Sequence, residues 1–498
     1  MDEFLLIRTF LGLKRRVSIV LLGLLFIPCF GQTPGSVRNL LFDFQLDHAS
    51  ELIHSSGFSI EKLELESLYD FLVLLSDQSD SSYRVYEKQN RKLIKELKRG
   101  FDNKTFSSST FLFKHHLFSA ISSSQFSDYP TAAKSVLQAY KYYGRMKDMH
   151  PAHPESKLAG AIISILSEQV PDQYAKLIPK GKSNPNKSSG FKQIHNVYKK
   201  ARLSNSELQV EAGLLWVILL WEFSSDRDEL WAAWLELSEN DSISRLLSSK
   251  YIGIMAAFKT GHSDYLNTVF SSIEKPEMER LKYLYFQRGK HLIFEFNSDG
   301  LKDLQTFTDF SPKGNFVKTA WLRKGWYYLV KQNGKMAEDC FNRVLSEGHD
   351  VVYIDKQSLK EVERVDLYNS EILKFRMMYD GGNYLQCIEA INDYSLSLLS
   401  DNINLLAEMQ YRKARCLQGL NRDVESLNAF DILLTQYSAA ESYIIPQSAI
   451  LASNIAEING DTEAALNYLD VAETRNKYGF QKTFERQIQS IRRRLNRK

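Results

Sequence analysis

Proline and glycine are scarce in this 498-residue sequence, 11 and 24 residues respectively. That is too few for the many tight turns of an all-β sandwich or barrel. Sustained apolar/polar alternation is almost missing as well, which removes the usual signal of half-buried strands. Cysteine is sparse: four residues, of which Cys29 falls near the N-terminus. The remaining three, Cys340, Cys387 and Cys416, cannot form a disulfide framework for a chain of this size. Neither sign of charge dominates, with 63 Lys plus Arg against 60 Asp plus Glu, so no global field draws in nucleic acid or an anionic membrane. A mean hydropathy of -0.32 excludes a polytopic membrane protein. Catalytic signatures are missing too: there is no His-Glu-x-x-His, Gly-x-Ser-x-Gly or Gly-x-Gly-x-x-Gly. Gly181-Lys182-Ser183 looks like the end of a phosphate-binding loop, but Lys176 stands where that loop needs glycine.

What is present starts with an export pattern. Arg8 and Lys14-Arg15-Arg16 precede the apolar stretch Val17 to Ile27, Pro28 ends it, and Cys29-Phe30-Gly31 puts small residues before a cut that leaves Gln32 first. Residues 1–31 therefore read as a signal peptide. The apolar run is short of the roughly 20 residues a membrane span requires. The expected location is periplasmic or envelope-associated.

Beyond residue 32, apolar residues recur at helical spacing. Ala133, Val136, Leu137, Tyr140 and Tyr143 form one stripe, and Leu208, Ala212, Leu215, Trp216, Leu219 and Phe223 another. The run Gly213 to Trp221 is apolar all round and predicts a helix buried on every side. The basic, apolar-poor stretch Pro179 to Gly190 reads as a mobile loop. Short breaks such as Ser311-Pro312-Lys313-Gly314 and Gly381-Gly382-Asn383 punctuate successive helices.

The last third repeats. Cys387, Ser426 and Ala465 follow similar turn segments at a spacing of 39 residues, and an apolar residue follows each four positions later: Ile391, Phe430 and Leu469. Ala414 and Ser453 lie 12 positions before Ser426 and Ala465, and Cys340, after Asn333-Gly334, lies 47 before Cys387. A turn, a small residue and a large apolar residue one helical turn later resemble the second half of a tetratricopeptide repeat, in which two antiparallel helices cross closely over small side chains. The segments around Asp128-Tyr129-Pro130, Val170-Pro171-Asp172 and Thr319 to Leu329 look like exported tetratricopeptide proteins of Bacteroidota-type bacteria. The resemblance implies an all-α chain built as an α-solenoid of antiparallel helix hairpins. Its irregular helical repeats would cover 32–315, its tetratricopeptide-like repeats 316–479, and a basic capping helix 480–498. The residues expected to carry the repeat packing are Cys340, Cys387, Ala414, Ser426, Phe430, Ser453, Ala465 and Leu469.

Other residue groups read as packing. Pro151 and Pro154 break the helix that would align His150 and His153 as ligands, and His115-His116 point about 100° apart on a helix. The six tryptophans fall in helix-like stretches and read as core. The resemblance implies a non-catalytic, cofactor-free interaction scaffold of the bacterial cell envelope that binds protein partners on a concave face and binds no nucleic acid. The alternative reading is a glycan- or lipid-binding protein serving uptake, with exposed tryptophan or a greasy channel. The basic C-terminus offers a peripheral membrane contact.

Overall fold

The structure, a computed structural model, describes residues 37–495 apart from 78, 103, 127, 168–186, 225, 364–368, 395–401 and 478–480. The expected signal peptide and the stretch 179–186 lie outside the described residues, and residues 187–190, read as loop, open a helix.

Every regular element among the described residues is a helix, 26 in all. The first are α1 (Val37–Phe42), α2 (Leu46–Ser55), α3 (Ile60–Asp77), α4 (Asp80–Gly100), α5 (Phe106–Gln125), α6 (Tyr129–Met149) and α7 (Pro154–Ser167). Then come α8 (Lys187–Leu203), α9 (Leu208–Phe223), α10 (Arg227–Ser238), α11 (Asp241–Ser244), α12 (Leu247–Thr260), α13 (Ser263–Ser272) and α14 (Lys275–Arg280). They are followed by α15 (Tyr283–Phe294), α16 (Asp299–Phe310), α17 (Val317–Val330), α18 (Gly334–Ser346), α19 (Tyr353–Val362), α20 (Ser370–Gly381) and α21 (Tyr384–Asp393). The chain closes with α22 (Ile403–Gly419), α23 (Asp423–Gln436), α24 (Ile444–Ile458), α25 (Thr462–Thr474) and α26 (Gln481–Leu495). No helix among the described residues is long and apolar enough to cross a membrane.

Local chemistry starts and stops these helices. Side chains of Ser79, Thr105, Asp128, Asp226, Asn333, Asn369, Asn402 and Asp461 accept from the first-turn N–H groups of the helices they precede. One turn design is used eight times. Phe44, Asn205, Gly261, Phe296, Gln332, Gly382, Asn421 and Gly460 have positive φ. In each case the next N–H bonds to the carbonyl five residues back, at 2.8 to 3.0 Å. This six-to-one bond of the Schellman motif ends one helix and turns the chain back along it. The turns at 261, 296 and 332 are 35 and 36 residues apart, and those at 382, 421 and 460 are 39 apart. Turns at this spacing thus occur before residue 316, at Gly261 and Phe296, and Phe296 and Gln332 accept a left-handed conformation that costs about 1–2 kcal/mol.

Neighbouring helices pack in sequence, and the first helices of successive hairpins, α15, α17, α20, α22 and α24, also stack on one another. The largest buried apolar cluster runs from Leu41 to Met377 and so crosses residue 315; a second spans Ile372 to Ile455, and a third Ala449 to Leu495. Helix α9 is the buried centre expected from its sequence, with Gly213 to Leu220 all buried, although Trp221 at the end of the apolar run is only half-buried. Two returns tie distant parts together. Near the N-terminus, Arg38 donates to Glu207 at 3.1 Å, and Asp43 accepts from the N–H of Leu247 at 3.1 Å and from Arg280 at 3.0 Å. Further on, the ring of Tyr384 packs between Gly261 and Gly419, and a Cβ at either glycine would stand 2.4 Å from it.

Candidate functional site

The hairpin crossings set the geometry of the C-terminal half. Numbered from the left-handed turn residue, the position seven before it holds Gly289, Gly325, Phe375, Ala414 and Ser453. The position five after it holds Ala337, Cys387, Ser426 and Ala465, all buried, and nine after it stand Phe341, Ile391, Phe430 and Leu469. Seven of the eight residues singled out from the sequence therefore occupy equivalent crossing positions. Cys340 is also buried, but it lies three residues past Ala337, which holds the crossing position in that hairpin. Polar links join the pairs: Cys387 Sγ to the Phe375 carbonyl at 3.4 Å, Ser426 Oγ to that of Ala414 at 2.9 Å, and Ser453 Oγ to that of Ala465 at 2.8 Å. In the hairpin of α17 and α18, a Cβ on Gly325 would meet the Phe341 ring at 2.4 Å.

One position along from each crossing, the first helices carry Lys290, Trp326, Arg376, Arg415 and Asn454. Because these helices stack, the side chains build a continuous cation and aromatic ladder. Lys290 Nζ lies 3.5 Å from the Phe258 ring centre. Trp326 is held between two guanidinium groups, Arg323 at 3.9 Å and Arg376 at 4.4 Å. Arg376 makes a two-pronged pair with Glu361 at 2.9 and 3.0 Å, and Asp380 lies 4.0 Å from Arg323 and 3.9 Å from Arg376. Arg412 pairs with Glu408 at 2.9 Å. Arg415 donates to the hydroxyls of Tyr411 and Tyr379 and, among the described residues, makes no carboxylate pair and leaves its buried Nε without a hydrogen-bond partner.

Five cations (Lys290, Arg323, Arg376, Arg412 and Arg415) thus face three carboxylates (Glu361, Asp380 and Glu408) along this ladder. Burial works against the charge on Arg376, but Glu361 and Asp380 more than offset it and hold it firmly protonated. Burial works against Arg415 as well, and there the facing oxygens of Tyr379 and Tyr411 sustain the charge. Lys290 is pushed down to about 7, by burial first and then by Arg323, with Asp380 opposing. Rigid guanidinium planes stacked on aromatic rings keep their donor edges in fixed directions, which suits them to carboxylates presented by another molecule. The sequence reading missed this ladder. Its signal was the cations Arg376 and Arg415, 39 residues apart and each directly after a crossing residue.

Other constellations are closed. Lys114 sits between Glu155 at 3.1 Å and Glu211 at 3.5 Å, all three side chains no more than 4% exposed. Beside them Glu64 is pushed up to about 8 by burial, although Lys114 and Arg38 pull it down. His115 accepts or shares a proton with Ser67 at 3.0 Å, and burial pushes it down to about 3. His150 and His153 pack edge-on against Phe106. Of the tryptophans, Trp216, Trp234, Trp321 and Trp326 are buried. Trp221 donates to the Met255 carbonyl at 3.1 Å and Trp231 stacks on His262 at 3.8 Å. Burial pushes the Cys340 thiol up to about 11 and the Cys416 thiol higher still. In α26 two of the basic groups make surface ion pairs: Arg492 with Asp470 and Glu473, and Arg494 with Glu457. Among the described residues no three His, Cys, Asp or Glu side chains are grouped to hold a metal ion.

No protein-family model matches the chain, and no curated protein matches it significantly.

Proposed function

We propose that this chain is a tetratricopeptide-like α-solenoid serving as a protein-interaction scaffold of the bacterial cell envelope, exported by residues 1–31. The recurring Schellman turns and the stacked first helices support the architecture, since hairpins that contact mainly their neighbours build an extended inner face. On that face the ladder from Lys290 to Arg415 receives an extended, acidic segment of a partner protein. The observation that carries this reading is Arg415, a fixed cation met among the described residues by two phenol oxygens and no carboxylate. A carboxylate arriving from a partner offsets the surplus positive charge of the ladder.

The test is crosslinking and pull-down from the envelope fraction, with the full chain and its Arg415→Met variant as baits. A partner recovered by the first and lost by the second supports the reading. Equal recovery by both baits, or capture of only oligosaccharide or lipid, rejects it. Intact mass of the chain from fractionated cells tests the export step, where a cut before Gln32 is expected and an unprocessed chain in the cytosol contradicts it.

A further inference from the structure

Two cysteines meet inside the second apolar cluster. Cys387, on α21, and Cys416, on α22, are both 0% exposed and belong to the cluster from Ile372 to Ile455, whereas Cys340 lies in the larger cluster upstream. Helices α21 and α22 pack together. The Cys416 thiol hydrogen-bonds with Cys387, whose Sγ in turn reaches the Phe375 carbonyl at 3.4 Å. Cys387 stands five residues after the left-handed turn at Gly382, and Cys416 five before the next one, at Asn421. One hairpin further on, the same two register positions hold Ser426 and Ile455. A small and a large side chain are enough for the repeat there, so its packing alone does not call for two thiols that face each other.

We propose that Cys387 and Cys416 form a disulfide that staples the hairpin of α20 and α21 to that of α22 and α23. The oxidant is a low-molecular-weight disulfide. One cysteine thiolate attacks it, forms a mixed disulfide and expels one small thiolate; the second cysteine thiolate then attacks the cysteine sulfur of that mixed disulfide and expels the other. Two protein thiols are oxidised, one external disulfide is reduced, and the two cysteine protons end on the small thiols released. Both protein sulfurs are buried, and burial pushes the Cys416 thiol well up. Exchange therefore runs through the unfolded or locally opened chain, and refolding shields the finished bridge from reducing thiols. The pairing rests on packing and goes beyond the partner reading, independent of export.

The test uses the full chain, incubated with oxidised glutathione in native buffer and, separately, refolded from urea in its presence. Remaining thiols are capped with N-ethylmaleimide in urea, and the peptides are mapped by mass spectrometry. A linked pair of peptides carrying Cys387 and Cys416 is expected, two hydrogens lighter than the separate peptides, with Cys340 capped. Dithiothreitol at about 1 mM should open the bridge at least about a hundredfold more slowly in native buffer than in urea. Cys387→Ser, which places here the residue type that Ser426 holds one hairpin on, should fold and leave Cys416 capped. The proposal is overturned if both treatments leave Cys387 and Cys416 unlinked, if either is linked to Cys340 or Cys29 instead, or if the bridge opens as fast in native buffer as in urea.

Discussion

The Ser426 hydroxyl donates 2.9 Å across its hairpin to the carbonyl of Ala414, 12 residues earlier. In the next hairpin the same two positions are linked with the direction reversed, Ser453 donating to Ala465 at 2.8 Å. The donor has moved from the second helix to the first, yet the place of the link has not. What is fixed is therefore the close approach of two backbones, and a hydroxyl on either side bridges it. A carbonyl already bonded within its helix has a second lone pair to accept this donor.

Substitutions at the crossing should consequently depend on size more than on polarity. Ser426→Ala loses one hydrogen bond and should cost about 1 kcal/mol. Ser426→Leu forces the helices apart and should cost about 2–3 kcal/mol, and Gly325→Ala, whose new methyl meets Phe341, should also destabilise by more than the hydrogen-bond loss. Urea unfolding midpoints check the order. Equal costs for the alanine and leucine variants would show that the crossing is not tightly packed.

The hairpin register of the C-terminal third was legible because three consecutive units keep a constant length and place Cys387, Ser426 and Ala465 at one position. It faded upstream for a local reason. The left-handed positions of those turns are held by Phe296 and Gln332 instead of glycine, and a left-handed residue of that kind is set by the packing of both helices rather than by its own preference. Cys340 drew attention as the small residue after Asn333-Gly334, whereas Ala337, closer to the turn, makes the crossing. The cation ladder was illegible for another reason. Its members come from five helices, and which of the chain's many arginines share a face depends on how the hairpins stack.

Glu64 gives the chain a pH-dependent stability of known sign. Its folded value of about 8 lies above the ordinary 4.5, so the folded state holds a proton that the unfolded chain releases. Stability should therefore fall as pH rises from about 4.5 to 8. Glu64→Gln keeps the group neutral and should match the parent near pH 5 and exceed it by a few kcal/mol at pH 9. Melting temperatures of the two proteins across this range decide the matter, and parallel curves would disprove it.

Asp355 anchors the start of α17 from α19. Its carboxylate accepts from the N–H of Phe316 at 2.5 Å, the N–H of Thr319 at 3.0 Å and the hydroxyl of Thr319 at 2.8 Å. Asp355→Ala strands these buried donors and should cost about 3 kcal/mol or more. Asp355→Asn should also destabilise, since its amide can turn only one oxygen toward donors on both sides. Chemical denaturation of the two variants measures this.

Helix α26 covers the end of the apolar cluster with Phe484, Ile488, Ile491 and Leu495. Truncation before Gln481 should expose Ile450 and Leu469 and lead to concentration-dependent aggregation in light scattering. Arg492→Ala with Arg494→Ala, which removes only exposed ion pairs, should shift stability by about 1 kcal/mol or less. Aggregation of the double variant, or a monomeric truncated chain, would contradict this division of roles.

On the proposed reading, the ladder from Lys290 to Arg415 takes an acidic segment. Its most direct test is fluorescence anisotropy of a labelled peptide rich in Asp and Glu against one of equal length in which Asn and Gln replace them, titrated with the full chain. Saturable binding of the acidic peptide is expected, weakened by added salt and reduced about tenfold by Arg415→Met at unchanged melting temperature. Equal binding of the neutral peptide, or acidic binding indifferent to Arg415→Met, would contradict it.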